Sequence, residues 1–417
     1  MNSVLKYIES GIVFRLRLWF DPFLIPLYRR TIDKKVRRLR KKDVIRVAFV
    51  VSELGVWKSE SLFIEMLRHK RFSPVVLIIP SKEVPESADD VKAYCTQKDY
   101  EYVDMRFTSY GIKKMIHPDI ILYQKPYDYT MPVKYGFRRN WDALFCFVSY
   151  GFHSVNLRAV QETPLINASW QVYYENEDVY QSAEETMKRP CRNGVVTGLP
   201  MSDDLMLPIS EYKDPWKKMD DGIKRKRIIW GPHHSVGNAA HGGIDYSTFL
   251  DYSDFMLEMA KKYADQIQFA FKPHPLLKSN LRRYWSEEQI DAYYHQWSIL
   301  PNTQIELGEY KGLFMYSDAL IHDSGSFTIE YHYSHHPLMY LIKNGVCHDE
   351  NLNDFGKKAF LLHEKGFSSK DIEEFIVNII EGRNPREGER NHFFEKCLLP
   401  PHGKSASENI INAILYG

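Results

Sequence analysis

At 417 residues and 44% hydrophobic, the chain is long for one domain and comfortable for two, with apolar material for two cores. A net charge of +1 gives no global case for nucleic-acid binding. Five cysteines (Cys95, Cys146, Cys191, Cys347, Cys397) without a C-x-x-C pair argue for a reducing compartment and against a disulfide frame or zinc–thiolate site.

The neutral total hides an asymmetry at the amino terminus. Ten Lys/Arg and two Asp lie between Arg29 and Arg46, just after the apolar-aromatic runs Ile12–Phe20 and Pro22–Pro26. Those runs are too short, and too interrupted by arginine, to cross a bilayer, which takes roughly 20 apolar residues. They lack the small-residue cleavage site of a signal peptide. Residues 1–45 are therefore expected to lie on an anionic cytoplasmic leaflet. The rival reading is a solvated basic helix packed on the body of the protein.

Continuous apolar runs follow at Val47–Val51, Val75–Ile79, Asp119–Tyr123, Ala143–Val148, Gln171–Tyr174 and Gly194–Gly198. Continuous rather than alternating hydrophobicity suits parallel strands covered on both faces. A first Rossmann-like domain is expected over 46–208, and a polar, Pro- and Lys-containing linker over 209–226. The β-spacer-β rhythm then restarts at Arg227–Trp230 and continues through Gln266–Phe271, Gln304–Leu307, Ala319–Ile321 and Pro337–Leu341. That predicts a second Rossmann-like domain over 227–390. A carboxyl-terminal segment, 391–417, is expected to carry a helix that packs back across the domains. The fold class is α/β: two doubly wound parallel-sheet domains facing a cleft, the GT-B arrangement common among transferases that use nucleotide-activated donors. In such sheets ligands bind beyond the carboxyl ends of the strands.

The chemistry-bearing motifs sit at those ends. Lys272-Pro273-His274-Pro275 closes one strand, with prolines that stiffen the backbone around the imidazole. Lys272 is suited to neutralise a phosphate and His274 to donate to a phosphoryl oxygen. Asp323-Ser324-Gly325-Ser326 is a small, hydroxyl-rich turn before a helix, where free N–H groups and the helix dipole attract anions. Glu330, one helical turn past Ser326, is placed to accept from ribose hydroxyls. Ser324 and Ser326 serve equally as helix caps. His153, in Ser149-Tyr150-Gly151-Phe152-His153-Ser154, follows a first-half strand and is a candidate base for an acceptor hydroxyl. Asp203 and Asp204 are better suited to capping than to catalysis. Pro232 and His233, in Trp230-Gly231-Pro232-His233-His234-Ser235, occupy the loop where such folds meet the donor's phosphates. No H-x-x-x-H spacing or carboxylate partner accompanies these histidines or His335-His336, so no metal ligands are assigned.

These residues resemble the CDP-glycerol glycerophosphotransferase family, which builds teichoic acids and related phosphodiester polymers on bacterial envelopes. The resemblance spans roughly 140–345. It is carried by Lys272-Pro273-His274-Pro275, Asp323-Ser324-Gly325-Ser326 with Glu330, Pro337-Leu338-Met339-Tyr340 and Gly198-Leu199-Pro200-Met201-Ser202-Asp203. Two departures stand out: Met201 replaces the family's arginine, and Gly151-Phe152-His153-Ser154 lacks the Gly-Thr-Pro that usually follows the first-domain histidine. The resemblance implies a cytoplasmic enzyme, peripheral on the inner face of the bacterial membrane. It would move a polyol-phosphate from a CDP-activated donor to a hydroxyl of a lipid-linked or oligosaccharide acceptor and release CMP, with no cofactor and no required metal. His153 would be the base, with Lys272, His274, Ser324 and Ser326 on the phosphates. Two alternatives remain open: a GT-B glycosyltransferase using a CMP- or UDP-sugar, and a non-catalytic scaffold with a vestigial nucleotide site.

Overall fold

The apolar runs become the inner strands of two parallel sheets in the computed structural model of the chain, which describes residues 20–417 except 82–83, 85, 128–130, 157, 188–191, 238–244, 326 and 346–350. The chain divides into two units, Met1–Asp204 with Leu399–Gly417, and Leu205–Leu398. Both are doubly wound, as expected for a GT-B chain.

In unit 1 the strands are β1 (Ile45–Val51), β2 (Phe72–Ile78), β3 (Tyr102–Asp104), β4 (Ile120–Tyr123), β5 (Leu144–Val148), β6 (Gln171–Tyr174) and β7 (Gly194–Val196). Their order is β3-β2-β1-β4-β5-β6-β7, with each neighbouring pair parallel. β4, β5 and β6 are buried along their whole length, which is why they read as unbroken apolar runs. β3, half-buried and at the sheet edge, was too short and polar to be seen in the sequence.

The amino-terminal basic segment packs on this unit. Helix α1 (Ile32–Arg40) buries Ile32, Val36 and Leu39 and points Lys34, Arg37 and Arg38 to solvent. Just before it, Tyr28 donates from its hydroxyl to the Ala143 carbonyl at 2.9 Å and stacks on Phe145 at 4.8 Å. The apolar face of α1 is thus spent on the protein, so α1 offers a membrane only its cationic side. Among the described residues, no helix is long and apolar enough to cross a membrane. The terminal helix α10 (Ala406–Tyr416) also belongs to unit 1. Asp203 holds its start, accepting from the Ala406 and Ser407 N–H groups at 2.7 and 2.9 Å; burial pushes that carboxyl up to about 6.

Unit 2 repeats the winding with β8 (Lys226–Gly231), β9 (Ile267–Phe271), β10 (Thr303–Ile305), β11 (Ala319–His322), β12 (Leu338–Leu341) and β13 (Glu364–Gly366), in the order β10-β9-β8-β11-β12-β13. Helices α6 (Phe249–Lys262), α7 (Glu287–Ile299) and α9 (Ser369–Ile380) cover the sheet. An aromatic core of Trp230, Phe249, Phe271 and Trp297 lies among them, with ring centroids 5.1–5.7 Å apart along Trp230's contacts. The stretch expected as a linker is packed on this unit: Trp216 is buried, its indole N–H donating to the Leu313 carbonyl.

Candidate functional site

The winding order of unit 2 reverses between β8 and β11, the topological switch point where open α/β sheets bind ligands. The loops after β8, β9 and β11 meet there. Beyond the end of β9, the Lys272 N–H donates to the Trp230 carbonyl at 2.8 Å and the His274 N–H to the Pro232 carbonyl at 3.1 Å. This extended pairing carries the β8 and β9 loops forward together. Asp323, fully buried after β11, accepts from the His233 N–H at 2.6 Å and from the Thr248 N–H and hydroxyl at 2.6 and 2.9 Å. Burial pushes its carboxyl up to about 6, and those donors oppose the shift. Asp323 therefore pins the β8 loop to β11. Gly237, in that loop, stands at φ +65, where a Cβ would fall 1.5 Å from the Tyr284 hydroxyl oxygen.

This scaffold brings together His233, His234 and His274. One ring nitrogen from each lies within 4.8 Å of the others. Ring centroids are 4.2 Å apart for His233–His234 and His234–His274, and 5.4 Å for His233–His274. Sequence spacing could not show the trio, because His274 arrives from a different strand.

The tautomers follow from hydrogen bonding. The Leu276 backbone N–H, which can only donate, points at His274 Nδ1 at 3.1 Å. His233 Nδ1 faces the Ser235 N–H at 3.3 Å and the Ser235 hydroxyl at 2.8 Å. That hydroxyl oxygen accepts from the Tyr246 N–H at 2.9 Å, so its proton is available for Nδ1. Asn280 Nδ2 donates to the His234 carbonyl at 2.9 Å and lies 3.4 Å from His234 Nδ1. Each Nδ1 thus meets a donor, and in the neutral ring the proton sits on Nε2. Burial holds His233 down to about 3 and His274 down to about 4, helped in each case by neighbouring imidazoles; burial also lowers His234. The trio is a set of uncharged N–H donors at neutral pH.

A metal-binding imidazole has the opposite arrangement, its second nitrogen donating to a carboxylate or carbonyl so that the first offers a lone pair. The donor set around these rings fits an anion better than a cation.

The remaining expected residues are placed differently from one another. The Lys272 ammonium is buried and donates to the Gly308 carbonyl at 2.9 Å. Ser324 is buried, and its carbonyl accepts from His322 Nδ1 and the Thr328 hydroxyl. Gly325 is exposed, with open space where a Cβ would stand. Ser326 lies outside the described residues. Glu330 is buried at the end of α8 (Phe327–Glu330), which gives way to a 3-10 turn at Tyr331–Ser334. A one-turn helix has little dipole, so the positive mouth expected there is weak.

In unit 1, His153 lies beyond the end of β5. Its backbone N–H and Nδ1 both face Glu175, with Nδ1 3.1 Å from Oε2. Burial disfavours the imidazolium, but the charge and hydrogen bond of Glu175 outweigh it and raise the His153 pKa. Such a carboxylate fixes Nδ1–H and leaves Nε2 as the basic atom. Sequence reasoning missed Glu175; the signal was an acid directly after the buried run Gln171–Tyr174.

No protein-family model matches the chain, and no curated protein matches it. Solved structures do. The wall teichoic acid polymerase TagF, as a single-residue variant, aligns over 98% of this chain and 97% of its own, with a TM-score of 0.58 and 12% identity. UDP-GlcNAc 2-epimerase from Neisseria meningitidis, bound to UDP-GlcNAc, aligns over 89% of this chain and all of its own, with a TM-score of 0.56 and 16% identity. MnaA from S. aureus, in complex with UDP, gives 0.55 and 14% over 89% of this chain and 96% of its own. At these identities the likeness is one of fold: two Rossmann-like domains of the glycosyltransferase-like GT-B class.

Proposed function

We propose that the chain transfers a polyol-phosphate, glycerol-phosphate-like, from a CDP-activated donor to a hydroxyl of a bacterial envelope or capsule glycan, with release of CMP. The carrying observation is the His233, His234 and His274 trio at the switch point of unit 2, three N–H donors with fixed tautomers. They would donate to the donor's phosphoryl oxygens as charge builds up on them. A positioned donor of this kind contributes about 3 kcal/mol to transition-state stabilisation. His153, oriented by Glu175, would take the acceptor's proton on Nε2. The acceptor oxygen then bonds to the distal phosphorus, and the bond from that phosphorus to the bridging oxygen breaks. CMP departs with the electron pair. The donor's identity rests on the motif resemblance, and TagF, a teichoic acid polymerase, aligns over almost the whole chain.

The N. meningitidis and S. aureus proteins were solved with UDP-GlcNAc and UDP, which keeps a sugar-nucleotide donor as the second reading. Incubation of the full chain with CDP-glycerol and a panel of UDP- and CMP-sugars separates the two. Release of CMP from CDP-glycerol alone supports the proposal. Turnover of a sugar nucleotide with CDP-glycerol inert refutes it.

A further inference from the structure

One cation of unit 2 is buried without a counter-charge. Arg390, on the helix Glu387–Phe393, is 1% exposed. Among the described residues its guanidinium makes a single hydrogen bond, from Nε to the His335 carbonyl at a long 3.5 Å, and no ion pair. Its Nη2 is buried and finds no partner there. Burial lowers the Arg390 pKa, but a guanidinium does not give up its proton in a protein. Glu364, at the start of β13, and the exposed Glu387 attract it from beyond ion-pair distance. Burial also raises the Glu364 pKa, which favours the uncharged acid.

The chain that follows α8 packs on this helix. The His332 ring lies 5.1 Å from Phe393, and His335 Nδ1 faces Asn391 Oδ1 at 2.8 Å. Both His332 nitrogens and His336 Nδ1 are buried and have no partner among the described residues. Burial keeps the His332 and His336 rings uncharged, and the charge of Arg390 adds to the effect at each. A neutral imidazole still has one N–H to give. Three side chains with buried donor nitrogens therefore gather at one place, one of them always charged. Leaving a charged donor buried and unpaired destabilises a fold. Water can accept the hydrogen bonds, but only an anion also answers the charge.

We propose that Arg390, with His332 and His336, holds a monatomic inorganic anion, chloride at ordinary salt, inside unit 2. Arg390 Nη2 and one N–H of each ring donate to it. With Arg390 1% and His332 0% exposed, the site is too closed for a phosphate or a nucleotide. It stands at the amino ends of β12 and β13, apart from the His233, His234 and His274 trio, and it does not depend on the reaction proposed above. The ion ties the helix Glu387–Phe393 to the segment that leads into β12, so its role is to stabilise unit 2.

Bromide, which scatters anomalously, is the probe. Crystals of the full chain grown in sodium bromide should show an anomalous peak at hydrogen-bond distance from Arg390 Nη2. A water in that position, or no density, overturns the proposal. Urea unfolding at pH 7.5 reads the linkage in solution, with sodium bromide replacing sodium gluconate at constant ionic strength. An ion bound by the folded chain alone raises the folding constant, by up to about tenfold for each tenfold rise in bromide above its dissociation constant. Arg390→Met should lose that dependence. Lys396→Gln, which removes an exposed charge just after the helix, should keep it. His336→Phe should weaken bromide binding about fivefold, as expected for one lost hydrogen bond, and it serves with the crystals if Arg390→Met does not fold. Equal bromide dependence in wild type and a folded Arg390→Met overturns the proposal. So does a peak beside Arg390 with a folding constant blind to bromide, the ion then being adventitious.

Discussion

Unit 2 buries three histidines that take no part in the proposed chemistry. His322, His363 and His332 follow one another in that order, with ring centroids 5.3 Å apart at each step. All three are buried, and His322 Nε2, both His332 nitrogens and His363 Nε2 find no hydrogen-bond partner among the described residues. Burial holds His322 and His332 down to about 3 and His363 well below its ordinary value; Arg390 adds to the effect at His332. The sign follows. A histidine depressed in the folded state stabilises fully above its unfolded value near 6.5 and loses that contribution as pH falls toward the folded value. Between pH 7.5 and 5.5 a histidine held that low should cost about 1.4 kcal/mol, and His322 and His332 together about 3 kcal/mol. The perturbation is His332→Phe, which keeps the ring contact with Phe393 at 5.1 Å and removes one titrating site. Urea unfolding at pH 7.5 and 5.5 reads the difference: the variant should lose about 1.4 kcal/mol less than wild type over that range. Equal losses in both proteins would refute the claim that the row is held neutral at a cost.

Glu175→Gln should lower kcat by about 100-fold or more, with the donor KM little changed, because His153 loses the partner that raises its pKa and fixes its tautomer. The acid limb of wild-type kcat/KM, read from CMP release against pH, should have its midpoint above 6.5, and Glu175→Gln should move it down. An unmoved limb assigns the base elsewhere. Asp323→Asn keeps the shape but places an NH2 against donors; it should raise the donor KM at least tenfold, at about 1.5–3 kcal/mol per charged hydrogen bond lost. A normal KM in a folded variant would show that the pinned loop is not needed. Zinc titrated by calorimetry into the full chain should bind no more tightly than to His274→Ala; a site lost in that variant would mean that the trio offers lone pairs rather than N–H groups.

Much of the fold was legible because fully buried parallel strands write themselves as unbroken apolar runs; β4, β5, β6 and β9 stand within a residue or so of where those runs predict. The edge strands β3 and β13 were not, since a half-buried three-residue strand has no periodicity to detect. In the site, His274 and His233 were legible because each follows a strand and a proline. The grouping of His234 with them was not, because it depends on the Pro232 carbonyl meeting the His274 N–H, a backbone contact between loops about forty residues apart. Asp323 read as the first residue of an anion-attracting turn; that its carboxylate accepts from the His233 and Thr248 N–H groups depended on tertiary packing. Glu175 escaped notice because its partner, His153, lies beyond the end of the neighbouring strand β5. The basic amino terminus was visible as charge, yet whether its apolar residues face protein or lipid depended on packing: Val36 turns inward and Phe23 outward.

The central claim is that His233, His234 and His274 grip donor phosphate through neutral Nε2–H groups. It is tested most directly by titrating CDP-glycerol into protein labelled with 15N-histidine and following long-range nitrogen–proton correlations, with assignments from His233→Gln, His234→Gln and His274→Gln. The account predicts three rings in the Nε2–H tautomer before addition, and all three Nε2 signals shifting together along one saturating curve. Doubly protonated rings, or signals that stay still while donor binds elsewhere, would contradict it.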